Sequence, residues 1–139
     1  MARTSTRIIV SLVFLFGVTA CASADDAGDT SIDPRDREWV LVELNGDEPL
    51  ADVVVDLMIT EDQLSGSGGC NRYMGGIDVD DPSLTIEPEI ATTMMACPDE
   101  IMAQENAYLA ALNTVTDYSA SDEELQLMDA DGTVVARFN

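Results

Sequence analysis

From residue 38 to the C-terminus, apolar side chains recur mainly at every second position, the period of strands that bury one face. Residues 38–44, EWVLVEL, are dense in strand formers and put Trp39, Leu41 and Glu43 on one face. In residues 53–60, Val55, Leu57 and Ile59 alternate against Asp56 and Thr60, which predicts a second strand. Residues 63–68, QLSGSG, form a glycine-broken strand, residues 69–78 carry Cys70, Tyr73 and Ile77, and residues 84–87 make a short strand. Residues 124–128 and 134–138 pair as a hairpin across Asp129-Ala130-Asp131-Gly132. Asn45-Gly46-Asp47, Glu61-Asp62 and the run ending at Pro82 are turn chemistry.

One stretch breaks the two-residue period. Residues 98–115 read as a helix, with Pro98 suited to the first helical position and Asp99 and Glu100 at the positive end of the helix dipole. At about 100° per residue, Ile101, Tyr108, Leu109, Leu112 and Val115 share a face. Glu105 falls in the middle of that apolar arc. A carboxylate there must be paired, hydrogen-bonded or protonated, since burying it bare costs several kcal/mol. The structural reading ties Glu105 to backbone N–H groups or to Arg72; the functional reading gives it ligand binding or proton handling. Several strands, one helix and a closing hairpin predict an α+β fold: a curved antiparallel sheet, open-barrel-like, packed with one main helix.

The first 37 residues have a different pattern. Arg3 and Arg7 precede an apolar run over residues 8–18, and Val18-Thr19-Ala20-Cys21 follows. Positive start, apolar middle and small-residue end are the order of a secretory signal, and the run falls short of the roughly 20 residues of a permanent span. The ending resembles a bacterial lipobox, which makes Cys21 the expected lipidation site and residues 1–20 a signal peptide. Residues 21–37 then form a lipidated N-terminus and flexible tether, rich in Asp, Ser, Ala, Gly and Pro. About 15 such residues reach roughly 20 Å. The folded domain is expected over residues 38–139. Localisation follows: exported and lipid-anchored at a cell or outer membrane, on the periplasmic or extracellular face.

Charge narrows the partners. The chain has 27 acidic and 6 basic residues, no Lys and no His, for a formal charge of −21; without Arg3 and Arg7 it is −23. Such a surface repels nucleic acid, which binds through cations that neutralise phosphate, and anionic headgroups as well, so attachment must come from the lipid. Acidity of this degree keeps a protein hydrated and dispersed; it also suits a cationic partner. Of three cysteines, Cys21 is taken by the lipid site. Cys70 and Cys97 are an even pair in an exported domain, which favours a disulfide worth about 3.5 kcal/mol of loop-closure entropy. Two buried free thiols are the competing reading.

Candidate chemistry is thin. Gly66-Ser67-Gly68-Gly69-Cys70-Asn71 lacks the Gly-Lys-Ser/Thr ending of a phosphate loop and reads as a bulged or tightly turning strand. Asp129-Ala130-Asp131-Gly132 begins a calcium-loop pattern without its later ligands, and the acids at 78, 80 and 81 are another turn cluster, so no metal site is assigned. Without His there is no Ser-His-Asp arrangement and no imidazole site. Paired carboxylates could run glycoside hydrolysis, but nothing selects two acids among 27. Met94, Met95 and Met102 are read as core filler and Trp39 as a core anchor.

Trp39 with its strand, Gly66…Gly69-Cys70-Asn71, Thr93-Met94-Met95-Ala96-Cys97-Pro98 with Glu105 and Tyr108, and the closing Leu125…Phe138 resemble in order the META domain (HslJ-like) family. The resemblance covers about residues 38–139. It implies a compact α+β fold and a bacterial envelope protein of heat or envelope stress, often a lipoprotein. It marks Trp39, Gly69, Asn71, Thr93, Met94 and Glu105 as structural-motif positions, and supplies no catalytic residues and no cofactor. The expected function is therefore a non-enzymatic, membrane-attached stress or binding module with an envelope or extracellular protein partner. The alternatives are an acidic inhibitor or scavenger of a cationic extracellular protein, or a carboxylate-only enzyme.

Overall fold

The computed structural model describes residues 31–139. The expected signal peptide over residues 1–20, Cys21 and the tether as far as residue 30 lie outside the described residues. Nine strands and one helix follow in chain order: β1 (Glu38–Leu44), β2 (Asp56–Ile59), β3 (Gln63–Ser67), β4 (Arg72–Asp80), β5 (Ser83–Ile86), β6 (Ala91–Thr92), α1 (Asp99–Leu112), β7 (Val115–Ala120), β8 (Leu125–Asp129) and β9 (Val134–Phe138). Every strand pairing is antiparallel.

The expected open-barrel-like sheet is instead a closed barrel of eight strands. Closure depends on β4. Its first five residues pair with β3, from Ser67↔Arg72 to Gln63↔Gly76, and its last four pair with β5. The circuit then runs through β7, β8, β9, β1 and β2 back to β3. Its thinnest seam is β5–β7, where a single register pair joins Ser83 to Asp117. A closed circuit removes sheet edges, which an open sheet would have to protect from pairing with other chains. The short strand β6 lies outside the circuit, on β4.

Alternation in the strands fills the interior. Trp39, Leu57, Ile59, Leu64, Leu84, Leu125, Leu127 and Phe138 are all buried; each such side chain contributes about 1.5–3 kcal/mol. The helix adds Tyr108, Ala111 and Leu112. The Tyr108 ring meets Tyr73 and Phe138 edge-on, with centroids 5.6 Å and 6.3 Å away.

The helix is shorter than its sequence pattern. Pro98 is the N-cap, and Asn113 ends the helix, its side-chain amide donating to the Leu109 carbonyl. Val115, expected on the helix face, instead opens β7. Thr114, Val115 and Thr116 are consecutive β-branched residues, which favour extended chain. Residues 31–37, placed in the tether by composition, lie against the barrel. Ile32 N–H donates to the Ala120 carbonyl, Asp36 N–H donates to the Ile59 carbonyl, and Pro34 is fully buried. Two apolar residues among polar ones give no periodic signal, yet they suffice to seat the strap.

Candidate functional site

The site grows from the turn between β3 and β4. Gly69 sits at φ +108°, a conformation that side chains rarely adopt, and a Cβ there would fall 2.7 Å from Val53 Cγ1. Gly68 lies so close beneath the helix that a Cβ would stand 2.7 Å from Glu105 Oε2. These two glycines bring the turn's N–H groups up to the helix.

Glu105 is 3% exposed and accepts three hydrogen bonds. Its Oε2 accepts from Cys70 N–H at 3.1 Å and Asn71 N–H at 2.6 Å, and its Oε1 accepts from Asn71 Nδ2 at 2.7 Å. The anomaly in the helix pattern is thus resolved by backbone donors plus an amide. Arg72 does not join it; its backbone N–H donates to Thr93 Oγ1 at 3.1 Å.

Asn71, itself 4% exposed, relays the network outward. Its Oδ1 accepts from Thr93 Oγ1 at 2.9 Å and from Met95 N–H at 2.6 Å. Cys70 and Cys97 form a disulfide across 27 residues, with Cα atoms 6.0 Å apart. The segment 93–97 is therefore tied down by hydrogen bonds to Asn71 and to the Arg72 backbone and by one covalent bond. Asn71, Thr93, Glu105, Cys70 and Cys97 converge in one cluster, and Gly69 shapes its turn. Trp39 stands apart as a core anchor, its Nε1 donating to the Pro34 carbonyl at 2.9 Å.

What the clamp holds is the main departure from the sequence reading. Met94 is 97% exposed and Met95 is 62% exposed, so neither fills the core. Asn71 draws the backbone of this loop inward through Met95 N–H, which leaves the two thioether side chains pointing to solvent. Beside them lies a groove of about 310 Å³ lined by Met94, Met95, Ala96, Met102, Leu109 and Asn106, with Glu105 at its floor. A second cleft of about 420 Å³ opens over β3, β4 and β6.

Sequence reasoning missed a buried phenol pair. Tyr73 and Tyr108 hydroxyls are 2.7 Å apart, and Tyr73 also donates to the Asp56 carbonyl at 2.8 Å, which leaves Tyr108 as donor to Tyr73. Burial pushes both phenols well above their usual value. The acidic turn at Asp129 uses Oδ1 to accept from Asp131 and Thr133 N–H groups. Among the described residues, no three His, Cys, Asp or Glu side chains are placed to hold a metal ion.

A small closed antiparallel barrel with one helix packed into its core and a disulfide-clamped loop defines the class. The sequence profile of the META domain family matches residues 31–139, and the chain belongs to that family. No curated protein sequence matches it significantly. Among solved structures, it is similar to an NMR structure of a protein from Burkholderia xenovorans, at TM-score 0.62 and 28% identity, covering 76% of this chain and 82% of that one. A second NMR structure gives TM-score 0.60 at 23% identity over 78% and 94% of the chains. A DUF4847 family protein from Bacteroides vulgatus gives 0.57 at 15% identity over 76% and 92%, a likeness of fold.

Proposed function

We propose that this META-domain protein is a non-enzymatic, lipid-anchored component of the bacterial cell envelope, held by Cys21 and acting by contact with an envelope or extracellular protein in stress tolerance. The observation that carries the contact reading is the clamped loop. Two methionines stand in solvent on a segment fixed by Asn71, Thr93 and the Cys70–Cys97 bond. Flexible thioethers suit varied apolar partners, and a loop held in place loses little entropy on binding. The disulfide also suits an oxidising compartment outside the cytoplasm. Supporting the non-catalytic reading, the larger cleft is lined by no carboxylate, and the groove beside the methionines has Glu105 alone, which already accepts three hydrogen bonds.

Metabolic labelling with a palmitate analogue tests the anchor: wild type takes up label and Cys21→Ser does not. Equal labelling of the two overturns it. The contact surface is tested with Met94→Glu/Met95→Glu. This variant folds normally yet fails to restore heat or envelope-stress tolerance to a deletion strain; full restoration removes the loop from the function.

The charge of −21 favours a second reading, capture of a cationic extracellular protein. Pull-downs with basic secreted proteins at rising salt separate the two. Binding that vanishes on simple screening is non-specific, and binding that persists marks a fitted partner.

A further inference from the structure

The larger cleft carries an inference of its own. On the outer face of β3, β4 and β6, strand register builds two rows. Met58, Ser65, Met74 and Ala91 lie side by side in one. Ser67, Arg72 and Thr93 form the next, with Thr93 N–H donating to the Arg72 carbonyl. An apolar strip thus runs beside a strip headed by a guanidinium. Met74 is half exposed, and Ala91 leaves open volume where a longer side chain would fill the floor.

Arg72 is the exceptional cation of this surface. Arg35 pairs with Asp33, Arg137 pairs with Glu43 and Glu124, and Arg37 donates to the carbonyls of Ser121 and Asp122. Among the described residues, the Arg72 guanidinium has neither an ion pair nor a hydrogen bond. The nearest acid along its row, Asp56, lies beyond β3 and accepts from Ser67 N–H. Glu87 folds over Gly76 at the far end, outside the lining of the cleft. In a chain with 27 acids, an exposed arginine beside an acid-free cleft is a local reversal of the surface.

We propose that this cleft binds a small amphiphile with one anionic head, a carboxylate or sulfonate on an apolar body. Arg72 takes the head through its planar fork of donors. The body lies along Met74 and Ala91, with Gln63 and Ser65 at its flank. The volume of about 420 Å³ falls within the roughly 300–1,000 Å³ of small-molecule sites. The cleft shares Thr92 and Thr93 with the groove beside the methionine loop, but neither Met94 nor Met95 lines it.

Titration of the full-length protein with decanoate, below its micellar concentration, tests the assignment, with [methyl-13C]methionine signals locating the ligand. Decanoate is expected to bind, to shift the signals of Met74 and Met58, and to leave Met94 unmoved. Arg72→Gln, a change at an exposed side chain, weakens decanoate about tenfold while the affinity for decanol stays within twofold. Equal decanoate affinity in Arg72→Gln, tighter binding of decyltrimethylammonium than of decanoate, shifts at Met94 in place of Met74, or no binding at all would overturn it. Met94→Glu/Met95→Glu retains the decanoate site, so failure here is separable from failure of the loop as a contact surface.

Discussion

At the scale of single residues, Glu105 decides whether the loop is held. Three donors converge on its two oxygens. Hydrogen bonds to a charged group are worth about 1.5–3 kcal/mol, and orphaned donors cost about 1–3 kcal/mol. Glu105→Ala is therefore expected to lose roughly 3 kcal/mol or more in urea unfolding. Glu105→Gln, which turns a donor toward Asn71 Nδ2, is expected to lose about half of that. An unchanged midpoint in both variants would show that the carboxylate holds nothing. The phenols give a second residue-scale outcome. Both have folded-state values raised by burial, Tyr73 and Tyr108 alike. The stability tied to their neutral forms is complete below the unfolded phenol value of about 10. It is lost as pH climbs from there toward the folded values. Melting temperature is expected to hold to pH 9 and fall steeply between pH 10 and 12, and Tyr73→Phe to flatten that fall. The position of Glu105 within an apolar arc was legible from the sequence, because helical periodicity fixes angles. Its partners were not, because they sit on a turn more than thirty residues earlier.

At the scale of elements, β1 and β9 are legible as strands, but strict alternation fails in both: β1 bulges between Leu41 and Glu43, so that Leu44 and not Glu43 is buried, and β9 buries Val135 and Ala136 in succession. The misread segments have identifiable causes. Val115 continues the helical angle by coincidence, and only the end of α1 at Asn113 returns it to a strand. Strand β6 is two exposed residues long and has no period to detect. Methionine usually packs inward, and the turn-to-loop clamp overrides that preference at Met94 and Met95. The clamp has its own test. Reducing the Cys70–Cys97 bond is expected to cost about 3.5 kcal/mol through loop-closure entropy, read as a shift of the urea midpoint with and without reductant. Segment 93–97 should then lose amide protection before the barrel strands do. Protection equal to that of the oxidised protein would mean that the hydrogen bonds to Asn71 and the Arg72 backbone fix the loop without the disulfide.

At the scale of the whole molecule, the closed circuit was the feature least visible in the chain. Closure depends on β4 turning from one neighbour to another midway, and a strand's length does not announce a change of partner. The β5–β7 seam, with one register pair, is expected to exchange its amides faster than β8 and β9, which share a four-residue register. Uniform exchange around the barrel would remove the seam as its weak point. The charge of −21 adds self-repulsion, so melting temperature is expected to rise as sodium chloride goes from 20 to 200 mM. The N-terminal strap has a consequence of another kind. Trp39 is the single tryptophan; its indole donates to Pro34 and the Arg37 guanidinium stands 4.9 Å over its ring. Both neighbours belong to the strap, so the intrinsic fluorescence of the native protein doubles as a built-in gauge: its emission tells an experimenter, without any label, whether the leading segment is latched or has been pulled away.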